Sequence, residues 1–175
     1  MNRTKFILFG SLLFLISGWS FSEFPVPPHS ANTLFYIQRS NNANTVMYEI
    51  NRQTPTSIQE KDPVHVYWIR YAEKGQRRDL NYIERTLAYG VRCEPLSKNT
   101  FTLRFVASKT RVAEIFLNEK GQATAHMLIN NKKSTLRKIF VQVTETGWLI
   151  PKVDYVEFFG TDTETLQPTY EKMII

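Results

Sequence analysis

The cadence of the second half most constrains what this chain can fold into. Short runs rich in β-branched and aromatic residues fall at 101–107, 111–117, 122–129, 135–143 and 153–159, each ended by turn formers such as Glu119-Lys120-Gly121 and Asn130-Asn131-Lys132-Lys133. Runs this short, with so little chain between them, pair with their sequence neighbours and describe an antiparallel meander, hence a sandwich or a barrel. A further strand is expected at 168–175, with its apolar end Met173-Ile174-Ile175 docked.

The first half adds a hairpin and one helix. Segments 34–39 and 45–51 flank Ser40-Asn41-Asn42-Ala43-Asn44, whose asparagines tolerate the left-handed backbone a turn needs. Pro63 introduces 64–71, the most β-prone stretch, at the one place a strand accepts proline. Asp79 then caps an expected helix over 79–89, in which Leu80, Ile83 and Leu87 recur at helical spacing before Gly90 stops it. Tyr82 and Tyr89 fall on the opposite side and are expected to be partly buried. The expected fold is therefore mainly β, an antiparallel sandwich or barrel-like meander of about eight strands with one inserted helix.

Alternation assigns faces. Ala113, Ile115 and Leu117, then Ala123, Ala125, Met127 and Ile129, then Ile139, Val141 and Val143 form one apolar face, the expected core. The other face carries Glu114, His126, Leu136 and Lys138. Turns centred on Lys120 and Lys132 would set Glu114 opposite His126 and His126 opposite Lys138. A carboxylate beside an imidazole can serve as a general-base pair, and is as readily a polar ladder on a wet face. On 64–71, His65, Tyr67, Ile69 and Tyr71 share one face and Val64, Val66, Trp68 and Arg70 the other, so the strand meets neighbours on both sides.

The candidate ligand-binding residues are Arg39, Tyr67, Trp68, Arg70 and Arg104. An indole that stacks and guanidinium groups that fork onto oxygens suit a small anionic or sugar-like ligand. The alternative role for such residues is a core Trp and rim arginines paired to carboxylates. His126, Glu114 and His65 are the catalytic candidates, without a marked nucleophile beside them. Three histidines, with His29 in the leader, and the single Cys93 show no metal-ligand spacing, and no cofactor motif is present. Cys93 reads as a packing residue.

Compartment is read from the start of the chain. Arg3 and Lys5 precede an apolar run over 6–16 and a small, polar stretch over 17–22, the order of a secretory signal peptide with cleavage expected before Glu23. The run is shorter than the roughly 20 apolar residues of a membrane span. The expected organisation is a signal peptide at 1–22, a leader at 23–33 and one β-rich domain at 34–175, periplasmic or secreted. Its net charge of +6 falls by two with Arg3 and Lys5. So mild a charge argues against nucleic acid, and the interrupted basic stretch 132–138 reads as a solvated turn. One cysteine allows no internal disulfide, so the core must suffice; a chain of this length buries roughly 70 % of its unfolded surface.

Four stretches, 34–40 (LFYIQRS), 63–69 (PVHVYWI), 87–91 (LAYGV) and 152–160 (KVDYVEFFG), resemble an exported bacterial family known as domain of unknown function 4833. The resemblance spans nearly the whole mature chain. Its motifs are aromatic strand segments, so it implies export and carries over no catalytic residues. Three functions fit the sequence: a non-enzymatic module binding a small ligand or an envelope protein, a hydrolase using a His/Glu pair, and a structural envelope component.

Overall fold

The computed structural model describes residues 24–144 and 152–175. The expected signal peptide and its cleavage point lie outside the described residues. The described residues form thirteen strands: β1 (Thr33–Arg39), β2 (Asn42–Ile50), β3 (Arg52–Thr54), β4 (Ser57–Ile58), β5 (Val64–Arg70), β6 (Gln76–Asp79), β7 (Val91–Ser97), β8 (Thr100–Phe105), β9 (Val112–Leu117), β10 (Ala123–Ile129), β11 (Lys132–Thr144), β12 (Lys152–Asp162) and β13 (Pro168–Ile174). All but β3 and β4 belong to one eleven-stranded sheet that curls into a half-barrel. The expectation of about eight strands missed β3, β4, β6 and β7, which are short or, in β7, interrupted by Pro95.

The long strand β11 organises the sheet. One of its edges pairs with β12 over nearly its whole length. The other is shared end to end: β10 takes Lys132 to Thr135, and β1 takes Lys138 to Val141. From that edge one ladder runs β1-β2-β5-β6 and the other β10-β9-β8-β7. Two ladders cannot continue side by side from one edge, so they diverge and enclose the core between them. The β1–β11 pairing is parallel, a departure from the wholly antiparallel meander.

The core follows from this curl. Phe35, Ile37, Val46, Tyr48, Val66 and Trp68 of the first ladder pack in one cluster with Phe101, Leu103, Ala113, Ile115, Ala125 and Met127 of the second. Fully burying side chains of this size stabilises the fold by about 1.5–3 kcal/mol each. Phe35 stacks on Tyr48 with ring centroids 4.4 Å apart, and Phe105 reaches across from the other ladder at 5.7 Å from Phe35.

Two expectations about β11 need correction. The β10–β11 turn is the tight Asn130–Asn131 pair, both at positive φ, so His126 faces Thr135 rather than Lys138. Leu136, assigned to the mixed face, is fully buried. An extra residue, Arg137, stands between the Leu136–Gly160 and Lys138–Phe159 pairs, and this bulge shifts the alternation so that Leu136 and Ile139 both point inward. The basic stretch 132–138 is accordingly strand, not a solvated turn.

Nor does the segment 79–89 form the expected helix. Asp79 ends β6, and the cap is Asn81: its Oδ1 accepts from the Glu84 N–H while Glu84 Oε2 accepts from the Asn81 N–H, each at 2.9 Å. A single π-helical turn, Glu84–Ala88, follows. Leu80 and the half-buried Tyr89 point inward, whereas Ile83 and Leu87 of the expected apolar stripe stand in solvent.

Candidate functional site

The open side of the half-barrel lies between the edge strands β6 and β7, and the segment joining them crosses it. Tyr89 anchors the crossing: its carbonyl accepts the Tyr48 hydroxyl at 2.7 Å, and its ring meets the Trp68 indole edge-on at 5.0 Å. Arg39, the last residue of β1, has the inward phase of Phe35 and Ile37. Its guanidinium lies over the Trp68 ring, 5.0 Å from the centroid, and 5.8 Å from that of Tyr89. Arg78 faces Trp68 across the β5–β6 pair and holds Glu84 at 2.6 Å.

The polar groups here are incompletely matched. Arg39 Nε, Arg78 Nε and Trp68 Nε1 are buried without a hydrogen-bond partner, and Trp68 as a whole is 4 % exposed. Burial raises the Glu84 carboxyl, but the Asn81 N–H, the Arg78 guanidinium and the nearby Trp68 indole together hold it below the ordinary range. Glu84 is thus an anion already engaged by Arg78. Arg39 has no carboxylate partner among the described residues. Burial raises the Tyr89 phenol against the opposing pull of Arg39, so a neutral hydroxyl sits beside a full cation.

The remaining ligand candidates lie apart from this cluster. Arg70 is paired to Glu73 at the end of β5. Arg104 is exposed on β8, 3.9 Å from Glu94. Tyr67 points to the other face, where it is buried with Met47 and Ile69 under Tyr36 and Tyr71; burial and the Glu49 charge push its phenol up to about 12. Both faces of β5 therefore meet neighbours, as its composition implied. Arg78, Glu84 and Tyr89 were not among the sequence candidates, although the spacing Asn81-x-x-Glu84 is a capping signature visible in the sequence.

The catalytic candidates are separate. Glu114 and His126 are direct cross-strand partners, the register the Lys120 turn implies. No hydrogen bond joins them: Glu114 lies 3.9 Å from Lys133, and His126 packs edge-on against Phe116. Burial and the Lys133 charge lower the His126 imidazole, outweighing Glu114. His65, part-exposed beside the buried Tyr67, binds Asp79 at 2.8 Å. Cys93 is half-buried, and burial with the Asp62 charge pushes its thiol up to about 12, a protonated packing residue. Among the described residues, no group of three or more His, Cys, Asp or Glu is placed to hold a metal ion.

Two open clefts occur elsewhere. One of about 760 Å³ is lined by Ala31, Asn32, Arg52 and the Lys120 turn, where Arg52 donates to Asn32, Pro55, Ala31 and Gly121. The other, of about 710 Å³, contains Arg111 and Glu171, which are bonded to each other. In both, the arginine is engaged in bracing the fold.

These features define a class: a curled, mainly β domain with an aromatic–guanidinium cluster where its sheet stays open. The chain belongs to the family described as Domain of unknown function (DUF4833), whose sequence profile matches residues 35–172. No curated protein and no solved structure matches it.

Proposed function

We propose that this is an exported, non-enzymatic binding module that takes a small oxyanion-bearing ligand, such as an acidic sugar or a carboxylate, at the Arg39–Trp68 cluster. One observation carries the reading: the half-buried guanidinium of Arg39 has no anionic partner among the described residues and stacks on Trp68, whose buried indole N–H makes no hydrogen bond and has near it only the Glu84 carboxylate that Arg78 already holds. Leaving such donors unmatched costs about 1–3 kcal/mol each, a cost that a bound oxyanion would remove.

The test is NMR titration of the Trp68 indole N–H with acetate, inorganic phosphate and galacturonate. A saturable shift with at least one of them, weakened about tenfold or more in Arg39→Gln, is expected from loss of a charge-assisted contact. An indole signal that none of the three moves would overturn the proposal.

A further inference from the structure

The segment that closes the open side of the sheet carries three large apolar side chains outward. Tyr82 is 81 % exposed, Ile83 66 % and Leu87 70 %. Ile83 and Leu87 are four residues apart on a helical turn and so lie on one side of it. They are not free to fold back. The reciprocal Asn81–Glu84 bonds and the Arg78–Glu84 ion pair fix the start of the turn to β6, and the Tyr48–Tyr89 bond fixes its end to the sheet floor. Leu80 and Tyr89 fill the inward positions, so the side chains between them have no core left to enter.

Charge identifies what this tip suits. Of the acids flanking it, Glu84 is held by Arg78 and Glu94 lies 3.9 Å from Arg104, while Asp79 is hydrogen-bonded to His65. Arg85, between Ile83 and Leu87 in the chain, and Arg92, just beyond the turn, are exposed and make no ion pair among the described residues. A small apolar point with exposed guanidinium groups matches the boundary between acyl chains and anionic headgroups. Three side chains are also too few for an ordinary protein interface, which covers about 800 Å² on each partner.

We propose that the Asn81–Ala88 tip docks the domain on a membrane surface bearing anionic lipids, with Tyr82, Ile83 and Leu87 entering the interface and Arg85 and Arg92 meeting the headgroups. Contact of this size is shallow and reversible. It would hold the Arg39–Trp68 cluster, directly beneath the same segment, close to the lipid surface.

The test reads the tip in the full chain, so that contact made by other segments does not register. An environment-sensitive fluorophore is attached at Leu87→Cys, and as a control at Leu166→Cys on the β12–β13 turn, each in a chain that also carries Cys93→Ser. With vesicles of phosphatidylcholine and phosphatidylglycerol, the emission from position 87 should shift to the blue while that from 166 stays unchanged. Arg85→Glu with Arg92→Glu should weaken the response about tenfold or more, and about 0.5 M salt should largely abolish it. The proposal is overturned if position 87 does not respond, if both positions respond equally, or if phosphatidylcholine alone gives the same shift. It is also overturned by a blue shift that grows with protein concentration without vesicles, because a second copy of the chain would then cover the tip.

Discussion

Gly160 of β12 lies directly opposite Leu136 of β11, at the last pair before the Arg137 bulge. A Cβ on Gly160 would meet Ile129 Cδ1 at 2.6 Å and the Thr135 carbonyl oxygen at 2.8 Å. The methyl end of Ile129 can move, but the Thr135 carbonyl belongs to the adjoining strand. Gly160→Ala should therefore destabilise the fold by about 1–3 kcal/mol, the range for overpacking, as a lower urea midpoint with an unchanged slope.

Tyr48→Phe removes the hydrogen bond from the core to the Tyr89 carbonyl without changing the ring stack on Phe35. A buried acceptor left alone predicts a loss of about 1–3 kcal/mol by urea denaturation. Hydrogen exchange should rise most in the 81–89 segment, since that bond ties it down.

Glu171 gives a pH signature. Its bonds to Arg111 hold the carboxyl below the ordinary 4.5 against the effect of burial, with the Asn130 N–H helping. A carboxyl lowered in the folded state adds stability that is complete above about pH 4.5 and is lost as the pH falls through the folded value. Glu171→Gln should thus melt below the wild type at pH 7. The gap between their melting temperatures should narrow steadily under acid.

His126 should show the opposite of an activated base. Its imidazole lies below 6.5 because of burial first and Lys133 second, with Glu114 pulling the other way. Followed by NMR, Lys133→Ala should raise the His126 titration midpoint and Glu114→Gln should lower it further. Because the lowered group resists protonation when folded, wild-type stability should decline as pH falls below 6.5, and His126→Gln should lose that part of the slope.

Local signals in the sequence are legible for several elements. The hairpin of β1 and β2, the strand after Pro63 and the Glu114–His126 register all follow from turn residues and alternation within a few positions. The Asn130–Asn131 turn also carried its own signal, two residues that tolerate positive φ; centring the turn on Lys132 displaced everything after it. The Arg137 bulge had no such sign, because it arises where β1 displaces β10 from the edge of β11. The 79–89 segment shows the limit of periodicity: Leu80, Ile83 and Leu87 keep helical spacing, yet a crossing this short can turn only its ends inward.

The candidate site was half legible. Trp68 and Arg39 were distinguishable as bulky or charged residues on apolar strands, but their meeting depends on the order β1-β2-β5, which sequence alternation alone does not determine. Arg70 has the same phase on β5 as Trp68 and instead finds Glu73 three residues on. Arg104 belongs to the other ladder and faces out.

The parallel pairing of Tyr36 with Lys138 has a kinetic consequence. The two paired strands lie far apart in the sequence, so contact order is high and folding is expected to be slow for the size of the domain. Until β11 is synthesised, the early hairpin keeps a bare edge and half a core. The core cannot close before β11 is present, whatever the early hairpin does.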